Sequence, residues 1–153
     1  MKRPLEGCKL VNMTPPAAIK NNASWTVAEV DTKDWDHLTI IVMLGATDIA
    51  VAALAVTESN TSGSGHANVT GLIVGTSANI EGSTSALPSA TDDDKFQVFE
   101  IDLRGRKRYI DLTFTAGAGT AGTYAAVLGI LSSPKALAPI SISDRGCDEI
   151  LRV

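Results

Sequence analysis

The sequence predicts an all-β sandwich or barrel, on three observations. Short runs alternate apolar and polar residues with a period of two, which is the pattern of a half-buried strand. Turns rich in Gly, Ser and Thr separate these runs at short intervals. Strong helical periodicity together with capping residues is found nowhere along the chain. About seven or eight short strands joined by such turns are typical of a sandwich or a barrel.

The clearest strand pair lies in residues 96–115, around a basic turn at residues 104–108. Gly105 provides the permissive backbone that a tight turn needs. The pattern predicts a β-hairpin around which the rest of the chain is organised. Its apolar side chains fall on one face of each arm: Phe99, Ile101 and Leu103 on the first, and Ile110, Leu112 and Phe114 on the second.

Further strands are predicted on both sides of the hairpin. The run at residues 37–44 is almost continuously apolar and β-branched, which fits a strand buried on both faces. Residues 49–58 are rich in alanine and also compatible with a helix, but their β-branched neighbours favour a strand. The other segments that the pattern predicts as strands are 24–30, 69–74 and 124–131, and residues 75–94 form the longest predicted surface loop.

The 153 residues fit one domain with one hydrophobic core. Aromatic residues make up only 5%, so we expect a core of Ala, Val, Ile and Leu. We predict an extended N-terminal arm over residues 1–22, a β-sandwich over 23–132 and an extended C-terminal tail over 133–153. The pair Pro15 and Pro16 supports the arm, because proline blocks a helix and cannot donate to a central sheet ladder.

Charge and hydropathy argue against two classes of partner. The formal net charge is −4, whereas general nucleic-acid binding needs a broadly basic surface. No apolar stretch approaches the roughly 20 residues that span a bilayer. Met1-Lys2-Arg3 begins with positive charge, but Pro4-Leu5-Glu6-Gly7 follows instead of the apolar run of a signal peptide. We therefore expect a protein made in a cytoplasm that binds neither nucleic acid nor membrane.

Three patterns could form a cofactor, metal or catalytic site, but each is better explained without such a site. Residues 117–122 match G-x-G-x-x-G, but a β-rich run follows instead of the helix that a dinucleotide site requires, so the motif predicts a flexible hairpin loop. Residues 92–94 are three aspartates without the spacing or the glycine of a calcium loop. His37 and His66 have no nucleophile at a recognisable spacing. We therefore predict no cofactor, no metal and no catalytic residue, and a protein that is not an enzyme.

Arg104, Arg106, Lys107 and Arg108 place four of the 13 basic residues in one turn. This turn could bind phosphate groups, remain solvated, or dock against an acidic protein surface. Arginine binds carboxylates through two parallel hydrogen bonds, and the chain as a whole is acidic. Protein docking therefore ranks above nucleic-acid binding as the role of this turn.

Cys8 and Cys147 lie near opposite ends of the chain, and each follows a glycine. Two cysteines without a C-x-x-C spacing do not build a zinc site. Three interpretations stay open: two buried thiols, a disulfide within one chain, or a disulfide between chains.

The chain resembles the small cement, or decoration, proteins of tailed bacteriophages that adopt a jelly-roll fold. The resemblance covers most of the chain and rests on the order of four stretches: RPLEGCKLVNMTPPAAI, DTKDWDHLTIIVMLGATDIAV, EIDLRGRKRYIDL and GCDEILRV. It implies two four-stranded sheets in a sandwich. It also implies a homo-dimer or homo-trimer on the outer face of the head, with contacts that clamp neighbouring major capsid subunits.

From the residues and this resemblance together, we expect a jelly-roll protein of the virion that stabilises a capsid. Arg104, Arg106, Lys107 and Arg108, with Pro15 and Pro16, are the expected interface residues. The alternative is a carbohydrate-binding jelly-roll module, for which exposed aromatic side chains would be needed. A hydrolase that uses surface carboxylates is a third hypothesis with no residue pair to single it out.

Overall fold

The computed structural model describes residues 5–17, 19–76, 85–136 and 141–151. These residues form a short 3-10 helix, Ala90–Asp92, and none of their helices is long and apolar enough to cross a lipid bilayer. They also form eight strands: β1 (Lys9–Thr14), β2 (Val30–Asp31), β3 (Trp35–Thr47), β4 (Ala53–Ser59), β5 (Ala67–Ile73), β6 (Phe96–Asp102), β7 (Tyr109–Thr115) and β8 (Thr123–Pro134).

The strands build two antiparallel sheets of four strands each. Sheet A has the order β1-β8-β3-β6, and sheet B has the order β2-β7-β4-β5. Of the strands that follow one another in the described chain, only β4 and β5 pair; every other connection crosses between the sheets. Eight strands distributed in this way form a jelly roll, which confirms the predicted fold class.

One hydrophobic core lies between the sheets. From β3 the side chains of Leu38, Ile40 and Val42 point inward and are fully buried. Aliphatic residues fill most of the core, as the low aromatic content predicts. The main aromatic contact is a stack of Trp25 on Phe114, with ring centroids 4.1 Å apart. This core fixes which face of every strand is left outside.

The predicted hairpin at residues 96–115 is wrong, although both of its strands exist. β6 belongs to sheet A and β7 to sheet B, so the two strands do not pair. The apolar alternation is as predicted, since Ile101 and Ile110 are both buried. Alternation determines which side chains face the core, but it does not identify the pairing partner. Here the two apolar faces approach one core from opposite sheets.

The prediction that residues 37–44 are buried on both faces is also wrong. β3 spans Trp35–Thr47, and its inner face is buried as expected. On the outer face Ile41 is half-buried and Met43 is 37% exposed. No described layer covers this side of sheet A, so the continuous apolar run belongs to a strand with one exposed apolar face.

The terminal segments differ from free extended arms. Residues 9–14 form β1 and pair with β8, so the sandwich begins inside the predicted N-terminal arm. Near the other terminus residues 142–146 form a turn, not an extended tail, because Arg145 and Gly146 donate backbone hydrogen bonds to Ile142 and Ser143. Residues 24–30 likewise form only a bridge at Ser24 and the short strand β2. Of the predicted loop at 75–94, residues 77–84 lie outside the described residues.

Candidate interaction surfaces

The basic loop, residues 103–108, carries the chain from sheet A to sheet B at one end of the sandwich. Leu103 is buried and fixes the start of the loop, and Arg106 donates its backbone N–H to the Leu103 carbonyl at 3.1 Å. Gly105 has a φ of 82°, which a residue with a Cβ adopts only at a cost. The loop is therefore a defined turn that presents its basic side chains outward.

Arg104 pairs with Asp102 at the end of β6. Its Nε lies 2.9 Å from Asp102 Oδ1, and its Nη2 lies 2.6 Å from Oδ2. These hydrogen bonds hold the pKa of Asp102 well below its ordinary value. Both side chains are more than half exposed, so solvent screens the pair. A partner's carboxylate can reach Arg104 from the solvent side.

Arg108 joins the basic loop to β2 through Asp31. Two hydrogen bonds, of 2.8 and 2.7 Å, run from its Nε and Nη2 to the two oxygens of that carboxylate. The hydrogen bonds raise the pKa of Arg108 and lower that of Asp31. The guanidinium carbon also lies 5.0 Å from the centre of the Tyr109 ring. This arginine therefore orders two elements of its own chain.

Arg106 and Lys107 both contact Glu58, at the end of β4. Arg106 Nη1 lies 3.7 Å from Glu58 Oε1, and the Lys107 backbone N–H donates to Oε2 at 3.2 Å. Among the described residues no carboxylate lies within ion-pairing distance of the Lys107 ammonium. Thus each arginine of the loop has an intrachain carboxylate partner, whereas the charge of Lys107 is available to another molecule.

Two shallow grooves flank Arg106. One has a volume of about 240 Å³ and lies toward Glu100 and β5. The other has a volume of about 350 Å³ and contains Trp35 and Asn60. The larger groove is also lined by Lys33, Asp34, Arg108 and Lys135. An aromatic ring beside charged and amide groups is the chemistry of a site for a small polar ligand.

Pro15 and Pro16 are exposed, but they lie at the other end of the sandwich. They follow Thr14, which pairs with Val127 near the start of β8. The basic loop instead follows Asp102, whose partner His37 pairs with Ser132 near the end of β8. The expected interface residues therefore do not form one patch. A partner that touches both groups must span the length of the sheet.

Cys8 and Cys147 are brought to one corner of the molecule. The Arg145 carbonyl accepts a hydrogen bond of 2.8 Å from the Leu10 N–H, so the C-terminal turn packs beside the start of β1. The Arg145 side chain donates to the carbonyls of Leu5 and Cys8. No disulfide joins the two cysteines in this structure. The corner nevertheless places both thiols in segments that are in direct contact.

The three aspartates at residues 92–94 lie in a segment whose contacts are structural. Asp92 accepts the Ser89 N–H at 3.0 Å and pairs with Lys95, so it stabilises the 3-10 helix. Asp93 accepts the backbone N–H of Thr47. The described residues contain no group of three or more His, Cys, Asp or Glu side chains placed to hold a metal ion.

A cluster around Glu29 was not predicted from the sequence. Its carboxylate accepts hydrogen bonds from Ser62 Oγ at 2.6 Å and from the Gly63 N–H at 2.9 Å, and His66 Nε2 lies 3.0 Å away. The Ser62 hydroxyl lowers the pKa of Glu29, while burial raises the pKa of nearby Asp111. Only the fold brings these distant positions together, so no sequence spacing indicates them.

The apolar face of sheet A was also missed. We define it as the apolar residues among the outward side chains of its four strands: Leu10, Ile41, Met43, Phe96, Val98, Tyr124, Ala126, Leu128 and Ile130. Phe96 is 63% exposed, Val98 53% and Tyr124 49%. The sequence does indicate this face, because apolar residues occupy outward as well as inward positions in β3 and β8. In residues 37–44 that pattern favours a strand buried on both faces, so an exposed apolar face was not expected there.

Comparison with models of known protein families finds no match, and comparison with curated proteins finds none either. What the chain does must therefore be argued from its own residues and from its fold.

Proposed function

We propose that this chain is a structural protein of a tailed-phage virion that binds the outside of the capsid and bridges neighbouring major capsid subunits. The observation that carries the proposal is the jelly-roll strand order of the two sheets, together with the sequence resemblance to capsid cement proteins. Jelly rolls serve widely as capsid and attachment domains, although a fold by itself does not specify a function. The surfaces of this chain support a role in contact.

Two features of the molecule suit a bridging role. The sandwich carries potential contact groups at both ends, with the basic loop at one and Pro15 and Pro16 at the other. β3 alone spans roughly 40 Å at about 3.3 Å per residue, so the two ends can reach different subunits. The hydrogen-bonded basic loop needs little further ordering on binding, which lowers the entropy cost of association.

Stabilisation of the capsid follows from mass action. A protein that binds the assembled lattice and not the dissociated subunits shifts the equilibrium toward the lattice. Heads assembled without this chain should therefore rupture at a lower temperature and under milder osmotic shock than decorated heads. Adding the purified chain to the bare heads should restore both properties. Equal resistance of bare and decorated heads would reject the cement role.

A carbohydrate-binding function is the second candidate, and the groove at Trp35 favours it. Trp35 offers a ring for stacking on a sugar, while Asn60 and Asp34 offer hydrogen-bonding groups in the same groove. A glycan array probed with the labelled chain tests this role. Binding that is lost in Trp35→Ala would support it, and an array without signal would reject it.

A further inference from the structure

We propose that the larger groove beside Arg106 is a site for an acidic saccharide, a sugar that carries a carboxylate, sulfate or phosphate group. The sugar ring lies against Trp35, and its negative group lies among the cationic side chains of Lys33, Arg106 and Lys135. This inference deepens the carbohydrate-binding candidate and rests on it, and it is independent of the capsid role.

The three cations have hydrogen-bond donors that the described part of the chain leaves unused. Lys33 has no carboxylate within ion-pairing distance among the described residues. Arg106 Nη1 lies 3.7 Å from Glu58, and Lys135 Nζ lies 3.7 Å from Asp36, and both distances are too long for a hydrogen bond. A guanidinium and two ammonium groups with free donors fit the oxygens of an anionic group.

The cations reach the groove from three separate elements. Lys33 lies between β2 and β3, Arg106 lies in the basic loop, and Lys135 directly follows β8. Lys107, which is on the same loop as Arg106, does not line the groove. The groove is therefore a distinct feature of this end of the sandwich, and its charge is not only that of the basic loop.

Asp34 and Asn60 indicate that the ligand also carries hydroxyl groups. Both residues line the groove and are exposed. A hydroxyl can donate a hydrogen bond to the Asp34 carboxylate, whereas the same carboxylate repels a bare anion. A sugar with an acidic group makes use of the carboxylate, the cations and the Trp35 ring together. The net charge of −4 also opposes a polyanion such as nucleic acid.

The groove is held in shape by contacts of the chain itself. The Thr32 N–H donates to the Arg108 carbonyl at 3.0 Å, and the Lys135 N–H donates to the Asp34 carbonyl at 2.9 Å. Because the walls are already ordered, binding costs less conformational entropy. The volume of about 350 Å³ lies near the lower end of the roughly 300–1,000 Å³ that is usual for small-molecule sites.

A glycan array tests the ligand class if it pairs each sialylated, uronate, sulfated or phosphorylated glycan with its neutral counterpart. We expect signal on acidic members. For the acidic glycan with the strongest signal, isothermal titration calorimetry with the full-length chain should give a dissociation constant at least about 10-fold below that of the neutral counterpart, because hydrogen bonds to a charged group are lost. Added salt should reduce this difference.

Substitutions test whether the groove is the site. Lys33→Ala with Lys135→Ala should raise the dissociation constant of the acidic glycan at least about 10-fold. Asp34→Asn should lower the constant, because it removes a repelling charge and keeps an acceptor. Lys20→Ala with Lys95→Ala is the matched control: it removes the same charge near the starts of β8 and β6, at the other end of the sandwich, and should bind like the wild type. Circular dichroism checks that each variant keeps the β fold.

Each contrary outcome overturns a stated part of the proposal. Neutral glycans that bind as tightly as acidic ones leave the carbohydrate function standing and reject the acidic class. An array without any signal rejects both. Equal losses in the two double-lysine variants show a general effect of charge and reject the groove. If inorganic sulfate competes as strongly as the neutral and acidic parts of the glycan together, the groove recognises only an anion and the saccharide assignment is wrong.

Discussion

The backbone N–H of Ala121 donates a 2.6 Å hydrogen bond to the Asp48 carboxylate. Thr120 and Gly122 donate to the same carboxylate. The loop at residues 116–122 is thus held against the end of β3 by a negative charge of its own chain. Its amides, which in a nucleotide site would face phosphate oxygens, already bind Asp48. The glycine-rich loop therefore makes a structural contact within the chain, and because it joins β7 of sheet B to β8 of sheet A it is not the hairpin loop that the sequence predicts.

Asp48→Asn should lower the melting temperature at neutral pH. Hydrogen bonds from the backbone, that of Ala121 first, hold the pKa of Asp48 below its ordinary value. The charged carboxylate therefore stabilises the folded state at pH values above the ordinary pKa. This stability is lost as the pH falls through the folded-state pKa. The difference in melting temperature between the wild type and the variant should therefore be present at pH 7 and become smaller toward pH 3.

Asp34→Asn is the matched control for Asp48→Asn. Asp34 has a φ of 69°, a conformation that asparagine tolerates, so the substitution adds no backbone strain. Its melting temperature should stay close to that of the wild type at both pH values. A gap for Asp48→Asn of equal size at pH 7 and pH 3 would contradict the charge-based explanation.

Trp25 should contribute strongly to stability although it lies outside the strands. Its ring is 6% exposed and stacks on Phe114, and its backbone N–H donates to the Phe114 carbonyl at 3.0 Å. Trp25→Ala should lower the free energy of unfolding by about 3–5 kcal/mol, measured by urea denaturation. Trp25→Phe should cost clearly less, because it keeps a stacked ring.

A second reason favours Trp25→Phe. Within the described part of the chain, the buried Nε1 of Trp25 has no hydrogen-bond acceptor, and an unsatisfied buried donor is costly. Removing it offsets part of the lost packing. Equal destabilisation by the two substitutions would show that the stack on Phe114 is not what holds this segment.

Alternation allowed the strands to be predicted, because it depends on contacts that every core-facing residue makes. Ile101, Leu112 and Phe114 occupy the buried positions that the pattern indicates. Pairing was not predictable in the same way. An apolar face is equally well buried against a neighbour in the same sheet or across the sandwich, so the crossing at residues 103–108 leaves no local signal.

The candidate site was only partly predictable for a related reason. The charge of the basic loop is visible in the sequence, but the partners Asp31 and Glu58 come from distant strands. The exposed face of sheet A has the composition of a buried strand, and a sequence does not state whether a second layer covers it. The same composition therefore fits a core strand and an interface.

The basic loop can be tested by separating its intrachain role from its partner role. The triple substitution of Arg104, Arg106 and Arg108 by Ala should reduce occupancy on bare heads, and high salt should reduce wild-type occupancy as well if the contacts are exposed. Because the same arginines order the loop, this result alone is ambiguous. Lys107→Ala adds a cleaner test, since its ammonium group has no carboxylate partner within the described chain.

The paired control removes the carboxylates and keeps the arginines. Asp31→Asn with Asp102→Asn frees Arg108 and Arg104 from their intrachain partners. If the arginines bind capsid carboxylates, this double variant should bind heads at least as well as the wild type. A loss of binding equal to that of the triple arginine variant would mean that the arginines serve only the loop. Quantitative electrophoresis of sedimented heads measures occupancy.

Asp111→Asn should stabilise the protein at neutral pH. Burial raises the pKa of Asp111, so its charged form is disfavoured in the folded state. Protonated Asp111 stabilises the folded state at pH values below its unfolded-state pKa. This stabilisation is lost as the pH rises through the raised folded-state pKa. The Leu112 N–H, which donates to Asp111 Oδ1 at 2.7 Å, retains an acceptor in asparagine.

The gain should be below about 1 kcal/mol, because the side chain is only half-buried and solvent screens it. Urea denaturation should show the gain at pH 7 and little difference at pH 3. Glu29→Gln, at a position close to Asp111 in space, should instead destabilise the protein at pH 7. The hydrogen bond that Ser62 donates lowers the pKa of Glu29, so its charged form is favoured in the folded state. A destabilised Asp111→Asn at pH 7 would contradict the prediction.

The final prediction is that oxidation joins Cys8 and Cys147 within one chain. Each cysteine lies two residues from the hydrogen bond that links Leu10 to Arg145, so the fold holds the two cysteine-bearing segments side by side. Closing a loop this long could add about 4–5 kcal/mol on the chain-entropy model. Non-reducing electrophoresis should show a compact monomer that slows on reduction. A reducible dimer band would instead establish a bridge between chains.

Gly146→Ala tests whether the packed corner is what allows the bridge. Gly146 has a φ of 73°, and a Cβ there would overlap the carbonyl oxygen of Leu10. The substitution should displace the C-terminal turn and slow formation of the intrachain bridge. Gly105→Ala, which also has a positive φ but open space around it, is the matched control and should oxidise at the wild-type rate. Equal rates in the two variants would show that contact between the turn and β1 does not position the thiols.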